Sequence, residues 1–284
     1  MNRFFTLLFA ASCLTAVGQE NCSLVYDGNG DGAVGSADLV GLLTEYGINC
    51  NELGFSQCGD PLLFDGHSYT TVSIADQCWF AENLRSTHYA NGDDIPMNIS
   101  DSLWQSYPAV GRTAVYGDDE GCINSSTEID ACDTLQSFVE YGRLYNWYAA
   151  TDERGLCPQG WHVPSDEEWM EFEVELGMTE IEAESTGWRG TDQGEQLKST
   201  TGWYLAWWIN GNGTDTLSFS ALPGGIRYSS GDYGTAGSSG WWWCTNGSFQ
   251  SARYRRLEYD ESRIWRSSTA PFNGLSIRCI KDAE

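Results

Sequence analysis

The most specifically spaced chemical groups lie near the amino end. Asp27, Asn29, Asp31 and Asp38 take the first, third, fifth and twelfth places of one run, with Gly32 at the sixth and Ala33 at the seventh. Hard oxygens at that spacing wrap a loop around Ca2+: the four side chains and the Ala33 carbonyl face one point, and the glycine takes the sharp turn. Gly35 at the ninth place has no side chain to give, so water completes the shell. Leu39, Leu42, Leu43 and Tyr46 follow at helical spacing. The stretch 19–50 therefore reads as a small calcium loop-helix module in which the ion is structural.

Cysteine is the second group with chemistry to offer. The chain has 10 cysteines and no CxxC pair, which removes zinc-ribbon and thioredoxin-like readings. With Cys13 set aside in the leader, nine remain, and in an oxidising compartment they are disulfide candidates first. Sequence proximity pairs Cys22 with Cys50, Cys58 with Cys78, and Cys122 with Cys132. Cys157 and Cys279 are left to close the large domain, and Cys244 is the odd thiol. A third group is aromatic. Trp203, Trp207, Trp208, Trp241, Trp242 and Trp243 lie near glycine-rich turns. An exposed indole stacks on a sugar ring, whereas a buried one fills a core between short strands. Adjacent strand residues point to opposite faces, which favours Trp207 and Trp208 for a surface role.

The leader sets the compartment. Arg3 precedes an apolar run from Phe4 to Val17, too short to span a bilayer, and Ala16-Val17-Gly18 offers small residues for cleavage before Gln19. Residues 1–18 read as a signal peptide and the product as secreted or cell-surface, with lipid attachment at Cys13 the less favoured route. No other apolar run approaches the ~18 residues of a membrane span. With 15 basic and 40 acidic residues, the formal charge is −25. That argues against nucleic acid or an anionic membrane as partner.

The elements that position these groups are mixed. Residues 51–61 read as a linker and 62–284 as the large domain. His67–Ile74 reads as a strand. Tyr141–Ala150 reads as a helix carrying Leu144, Tyr145, Trp147 and Tyr148. Ser165-Asp166-Glu167-Glu168 is a capping box opening a helix whose buried stripe is Trp169, Phe172 and Leu176. Beyond Gly202 strands are expected at Leu217–Leu222, Ser251–Tyr259, Arg263–Arg266 and Leu275–Lys281, and Asn210–Asp215 reads as a hairpin turn. Two helices followed by short antiparallel strands make an α+β domain.

Two stretches carry family resemblances. The Asp27–Asp38 loop and its helix resemble one repeat of a type I dockerin, an EF-hand-like unit, with Asp38 where an EF-hand has Glu. No second such loop occurs, and dockerins dock cohesins through paired repeats, which argues against cohesin docking here. Trp79-Phe80-Ala81-Glu82-Asn83-Leu84-Arg85, Gly142-Arg143-Leu144-Tyr145-Asn146-Trp147, Leu156–Ser165, Leu222-Pro223-Gly224-Gly225-Ile226-Arg227 and Ser276–Lys281 resemble the Fibrobacter succinogenes major paralogous domain. The resemblance implies an exported bacterial protein with a compact fold akin to C-type lectin-like and formylglycine-generating-enzyme-like domains, and no established activity. Trp242-Trp243-Cys244 stands where the family pattern reads Trp-Trp-Ser, which supports Cys244 as the unpaired thiol.

Enzymatic signatures are sparse. The three histidines are His67, His88 and His162, and no HExxH, GxSxG or phosphate-binding glycine motif occurs. His162 lies in the richest motif, and a lone histidine there reads as a packed, hydrogen-bonded residue. The favoured function is a non-catalytic extracellular binding, adhesion or scaffold protein, with a glycan or a surface protein as partner. Trp207, Trp208, Trp241, Trp242 and Trp243 are the ligand candidates. The alternative is a polysaccharide-acting enzyme component of an extracellular degradation system.

Overall fold

The computed structural model describes residues 55–106, 109–118, 122–206 and 208–283. The expected signal peptide and calcium loop, with Cys22, Cys50 and Trp207, lie outside the described residues. A compact unit opens at Phe55 and runs to the carboxyl end. Its start lies inside the stretch that reads as linker, because Phe55 packs edge-on against Trp161, 5.1 Å between ring centroids, and Cys58 is bonded to Cys78.

In chain order the described elements begin with β1 (Leu62–Phe64), β2 (His67–Tyr69), β3 (Thr71–Ile74), β4 (Gln77–Phe80), α1 (Asp101–Trp104) and β5 (Thr113–Ala114). Next come α2 (Thr134–Tyr141), β6 (Leu144–Asn146), α3 (Trp147–Ala150), β7 (Trp161–His162), α4 (Asp166–Glu175), α5 (Glu180–Glu184), β8 (Gly187–Arg189) and α6 (Gln193–Leu197). The last part is strand only: β9 (Leu205–Ala206), β10 (Ile209–Asn210), β11 (Ile226–Arg227), β12 (Tyr233–Gly234), β13 (Ser239–Gly247), β14 (Ala252–Glu258), β15 (Ile264–Thr269), β16 (Gly274–Leu275) and β17 (Ile280–Lys281).

These strands form three larger sheets, ordered β12-β11-β16-β6-β5, β13-β14-β15-β8 and β3-β4-β17-β7, and two hairpins, β1-β2 and β9-β10. Strand pairing within them is antiparallel, and with the interspersed helices this is an α+β domain. The β3-β4-β17-β7 sheet ties the two ends of the domain together: Ile280 pairs with both Trp79 and His162. The Cys157–Cys279 bond closes the same junction covalently.

Several local expectations change under tertiary forces. His67–Ile74 is two strands, because the chain changes partners at Thr70, pairing first with β1 and then with β4. Tyr141–Ala150 is a strand followed by one helical turn. Gly142 at φ 75° ends α2, Leu144 and Tyr145 pair with β5 and β16, and the Asn146 side chain then caps α3 by accepting from Ala149 N–H. Leu217–Leu222 is no strand. The Phe219 and Ser220 carbonyls accept from the buried Arg278 guanidinium, and Ser218 and Ser220 sit at φ 56° and 51°. Asn210–Asp215 is no hairpin turn either. The hairpin lies earlier, with Ala206 opposite Ile209, and Gly213 folds back so closely on α6 that an added Cβ would sit 2.4 Å from the Glu195 carbonyl oxygen.

The capping box at Ser165 forms as the sequence requires. Ser165 Oγ accepts from Glu168 N–H, and Glu168 accepts from Ser165 N–H at 2.7 Å. Trp169, Phe172 and Leu176 bury the inner face of α4, where Trp79, Trp169, Phe172 and Phe219 pack ring against ring. The same helix carries a buried ionic lattice. Glu173 takes a two-pronged pair from Arg189 at 2.7 Å and a further bond from Arg255 Nε at 2.6 Å. Asp166 accepts from Arg255 and Arg266. Three guanidiniums from β8, β14 and β15 thus clamp α4 to the β13-β14-β15-β8 sheet.

Candidate functional site

The expected calcium ligands Asp27, Asn29, Asp31, Ala33 and Asp38 lie outside the described residues, as do Cys22, Cys50 and Trp207. Three cysteine pairs are bonded among the described residues, Cys58–Cys78, Cys122–Cys132 and Cys157–Cys279. Cys244 is a free thiol, fully buried, with Sγ 3.6 Å from Arg255 Nη1. Burial pushes this thiol up to about 12, so the thiolate that would act as nucleophile or metal ligand does not form near neutrality.

The tryptophan candidates separate sharply. Trp241, Trp242 and Trp243 are buried and present no face to a sugar ring. Strand β13 is covered on both sides. Trp241 and Trp243 point into one core cluster and Trp242 into the other, as the two-residue alternation of a strand dictates. Their N–H groups are used internally: Trp242 Nε1 donates to Asn83 Oδ1 at 2.9 Å and Trp243 Nε1 to the Tyr145 carbonyl at 2.7 Å. These three are core residues, a correction to their candidacy as ligand contacts.

Trp208 is the opposite case. It lies between the paired strands β9 and β10 and is 85% exposed, the highest value among the large hydrophobic side chains described. The hairpin leads into a shallow cleft of about 210 Å³ lined by Glu195, Lys198, Asn210, Asn212, Asp260 and Glu261, among others. Each wall has a structural reason. Asn212 Oδ1 accepts from Trp203 N–H at 3.0 Å, which fixes the turn after β10. Glu261 is held by Arg263 Nη2 at 2.6 Å. Lys198 is buried, with Nζ donating to the Glu258 and Glu261 carbonyls at 3.1 and 3.2 Å. Burial lowers its ammonium to about 8, against the upward pull of Glu195, Asp260 and Glu261. An exposed indole can stack on a pyranose ring, and the carboxylates and amides of such a cleft can bond sugar hydroxyls. Sequence reasoning finds the indole and misses Glu195, Lys198, Asp260 and Glu261, which reach the cleft only by tertiary folding.

The histidines are engaged in structure. His162 bridges Glu168 Oε1 at 2.7 Å and Asp282 Oδ1 at 2.6 Å. His67 contacts Glu82 Oε2 at 2.9 Å, and His88 contacts Asp65 Oδ1 at 2.9 Å. The described residues contain no group of three or more His, Cys, Asp or Glu side chains able to hold a metal ion. No helix among them is long and apolar enough to cross a membrane.

The Fibrobacter succinogenes major domain matches residues 72–281, well over half of the sequence. The chain belongs to the Fibrobacter succinogenes major domain family. Every sheet of the domain apart from the β1-β2 hairpin begins and ends within the matched span or one residue of it, and the Trp208 hairpin and its cleft lie inside it. Comparison with curated proteins and with solved structures returns no match. The Fibrobacter succinogenes major domain therefore carries the family assignment, and its binding chemistry is argued from geometry.

Proposed function

We propose that the chain is an exported, non-catalytic binding protein whose Fibrobacter succinogenes major domain recognises glycans at the Trp208 hairpin. The observation that carries this reading is the 85% exposure of the Trp208 indole, one residue before Ile209 and Asn210 of a polar cleft, in a domain whose other described tryptophans are buried or half-buried. An exposed indole offers a flat apolar face with a polar N–H at its edge, which suits stacking on a sugar ring. The disulfides support an oxidising, extracellular setting. A C-type lectin-like reading of the α+β domain, with short strands presenting irregular loops, accords with a recognition role. The Asp27–Asp38 loop adds a dockerin-like structural Ca2+ module, supported by its ligand spacing.

A glycan array followed by affinity electrophoresis in soluble polysaccharide tests the reading. The intact protein should be retarded by at least one polysaccharide without releasing reducing ends, and Trp208→Ala should abolish retardation while leaving the melting temperature unchanged. Equal retardation of the variant removes the hairpin from the site. Bond cleavage would instead favour the polysaccharide-acting enzyme. For the amino-terminal module, calorimetric titration with Ca2+ should show one site in the intact protein and none in Asp31→Ala.

A further inference from the structure

A second recess lies at α1, far in sequence from the Trp208 hairpin. Its floor is Arg227, 1% exposed, with its guanidinium carbon 4.3 Å from the Trp104 ring centroid and 5.0 Å from that of Tyr233. Three of its donors are placed. Nε donates to the Gly231 carbonyl at 3.1 Å, and Nη2 donates to the Ile99 carbonyl at 3.1 Å and Asp101 Oδ1 at 3.0 Å. Nη1 is buried and donates to nothing among the described residues. The carboxylate facing it, Asp118 Oδ1, stands 3.9 Å away, beyond hydrogen-bond reach, and already accepts from the Tyr233 hydroxyl.

A buried guanidinium nitrogen without an acceptor carries a desolvation cost, which an acceptor from outside the chain would offset. Arg227 and Asp118 both line a cleft of about 530 Å³, with Asn98, Ser100, Asp101 and Ser102 along its rim. One cation faces two carboxylates there, so an incoming anion meets net negative charge. A free metal ion meets the guanidinium. The group that completes the cleft is neutral and both accepts and donates, which a hydroxyl does with a single oxygen.

We propose that the Arg227 cleft binds a neutral polyol, a saccharide presenting two adjacent hydroxyls. A small rotation of Asp118 would widen the 3.9 Å gap so that one hydroxyl accepts from Arg227 Nη1 and donates to Asp118. The neighbouring hydroxyl meets Asp101, whose side chain is 43% exposed at the rim. This site stands on the orphaned guanidinium and does not rest on the Trp208 platform.

Saturation-transfer NMR on the intact secreted protein tests it, with methyl pyranosides as probes and sodium acetate, sodium phosphate and EDTA as additions. Binding of a methyl pyranoside should persist in Trp208→Ala and should weaken about tenfold in Asp118→Asn, the loss of one charge-assisted hydrogen bond. If Asp118→Asn does not fold, Asp101→Asn at the exposed rim should show the same weakening. The proposal is overturned if no pyranoside binds, if the signal survives in the folded aspartate variant but vanishes in Trp208→Ala, if acetate or phosphate displaces the sugar, or if EDTA abolishes binding in Asp31→Ala and wild type alike.

Discussion

Arg255 Nη1 lies 2.6 Å from Asp166 Oδ1, at the first turn of α4, while its Nε lies 2.6 Å from Glu173 Oε1 two turns later on the same helix. One guanidinium from β14 thus spans the length of α4 and fixes both its position and its rotation. Burial by itself would raise the Asp166 carboxyl, but Arg266 and Arg255 outweigh it and hold it at about 2. Glu173 and Arg189 are both sealed from solvent, so neither is screened.

Removing one partner of this lattice should be expensive. Glu173→Ala leaves Arg189 and Arg255 buried without their shared carboxylate, and a loss of about 3–5 kcal/mol is expected on that basis. Urea unfolding followed by far-UV circular dichroism measures it. A loss under about 1 kcal/mol would mean that water reaches the arginines and the lattice is not a clamp.

The bridge from His162 to Glu168 and Asp282 gives stability a defined pH dependence. Hydrogen bonding to Glu168 raises the imidazole above its ordinary 6.5, burial opposes this, and Asp282 adds to the rise. A raised folded value means the contribution is complete below about 6.5 and disappears as pH climbs through the higher folded value. For Glu168, burial pushes up, but His162 and Ser165 outweigh it and hold the carboxyl at about 2, against an ordinary 4.5. Its contribution is complete above about 4.5 and is lost as pH falls toward 2. Melting temperatures of wild type and His162→Gln should therefore differ between about pH 5 and 6 and converge as pH climbs past the raised folded value. Curves that stay parallel across that range would remove the histidine bridge from the account.

Thiol labelling should distinguish the folded from the unfolded chain at Cys244. With the thiol enclosed and pushed up to about 12, the native protein should not react with a disulfide reagent at pH 8, whereas Cys244 should label once the unreduced protein is denatured. Rapid labelling of the native protein at Cys244, identified by peptide mapping, would contradict the burial.

The bond between Cys157 and Cys279 closes 122 residues. Loop-closure entropy for a span of that size gives roughly 5 kcal/mol in the chain-entropy model. The double variant Cys157→Ala, Cys279→Ala should lose about 2–5 kcal/mol in denaturant unfolding, and more than Cys122→Ala, Cys132→Ala, whose loop spans 10 residues. An equal loss in both variants would show that strain or packing, and not loop length, sets the effect.

Much of the fold was legible because its signals are local. The capping box at Ser165 is written in four consecutive residues, and the stripe Trp169, Phe172, Leu176 follows from helical periodicity. The pairs Cys58–Cys78 and Cys122–Cys132 are near in sequence, so proximity found them. Failures occur where a distant group competes for the backbone. Leu217–Leu222 has strand-forming side chains, but the Arg278 guanidinium, some 60 positions away, captures its carbonyls at Phe219 and Ser220.

The site shows the same division. The sequence favoured Trp207 and Trp208 for a surface role by strand alternation, yet kept Trp208 and Trp241–Trp243 together as ligand candidates. Burial depends on which surfaces pack over each side of a strand. Strand β13 is covered on both faces and the β9-β10 hairpin is not, so only tertiary structure could assign Trp243 to the core and Trp208 to solvent. The Arg227 cleft lies further still from the sequence. Asp101, Asp118 and Arg227 share no spacing pattern, because three separate segments must converge before a guanidinium can be left without an acceptor. The proposed calcium loop needs no such convergence. Its candidate ligands fall within twelve consecutive residues, so residue type and spacing alone suggest it.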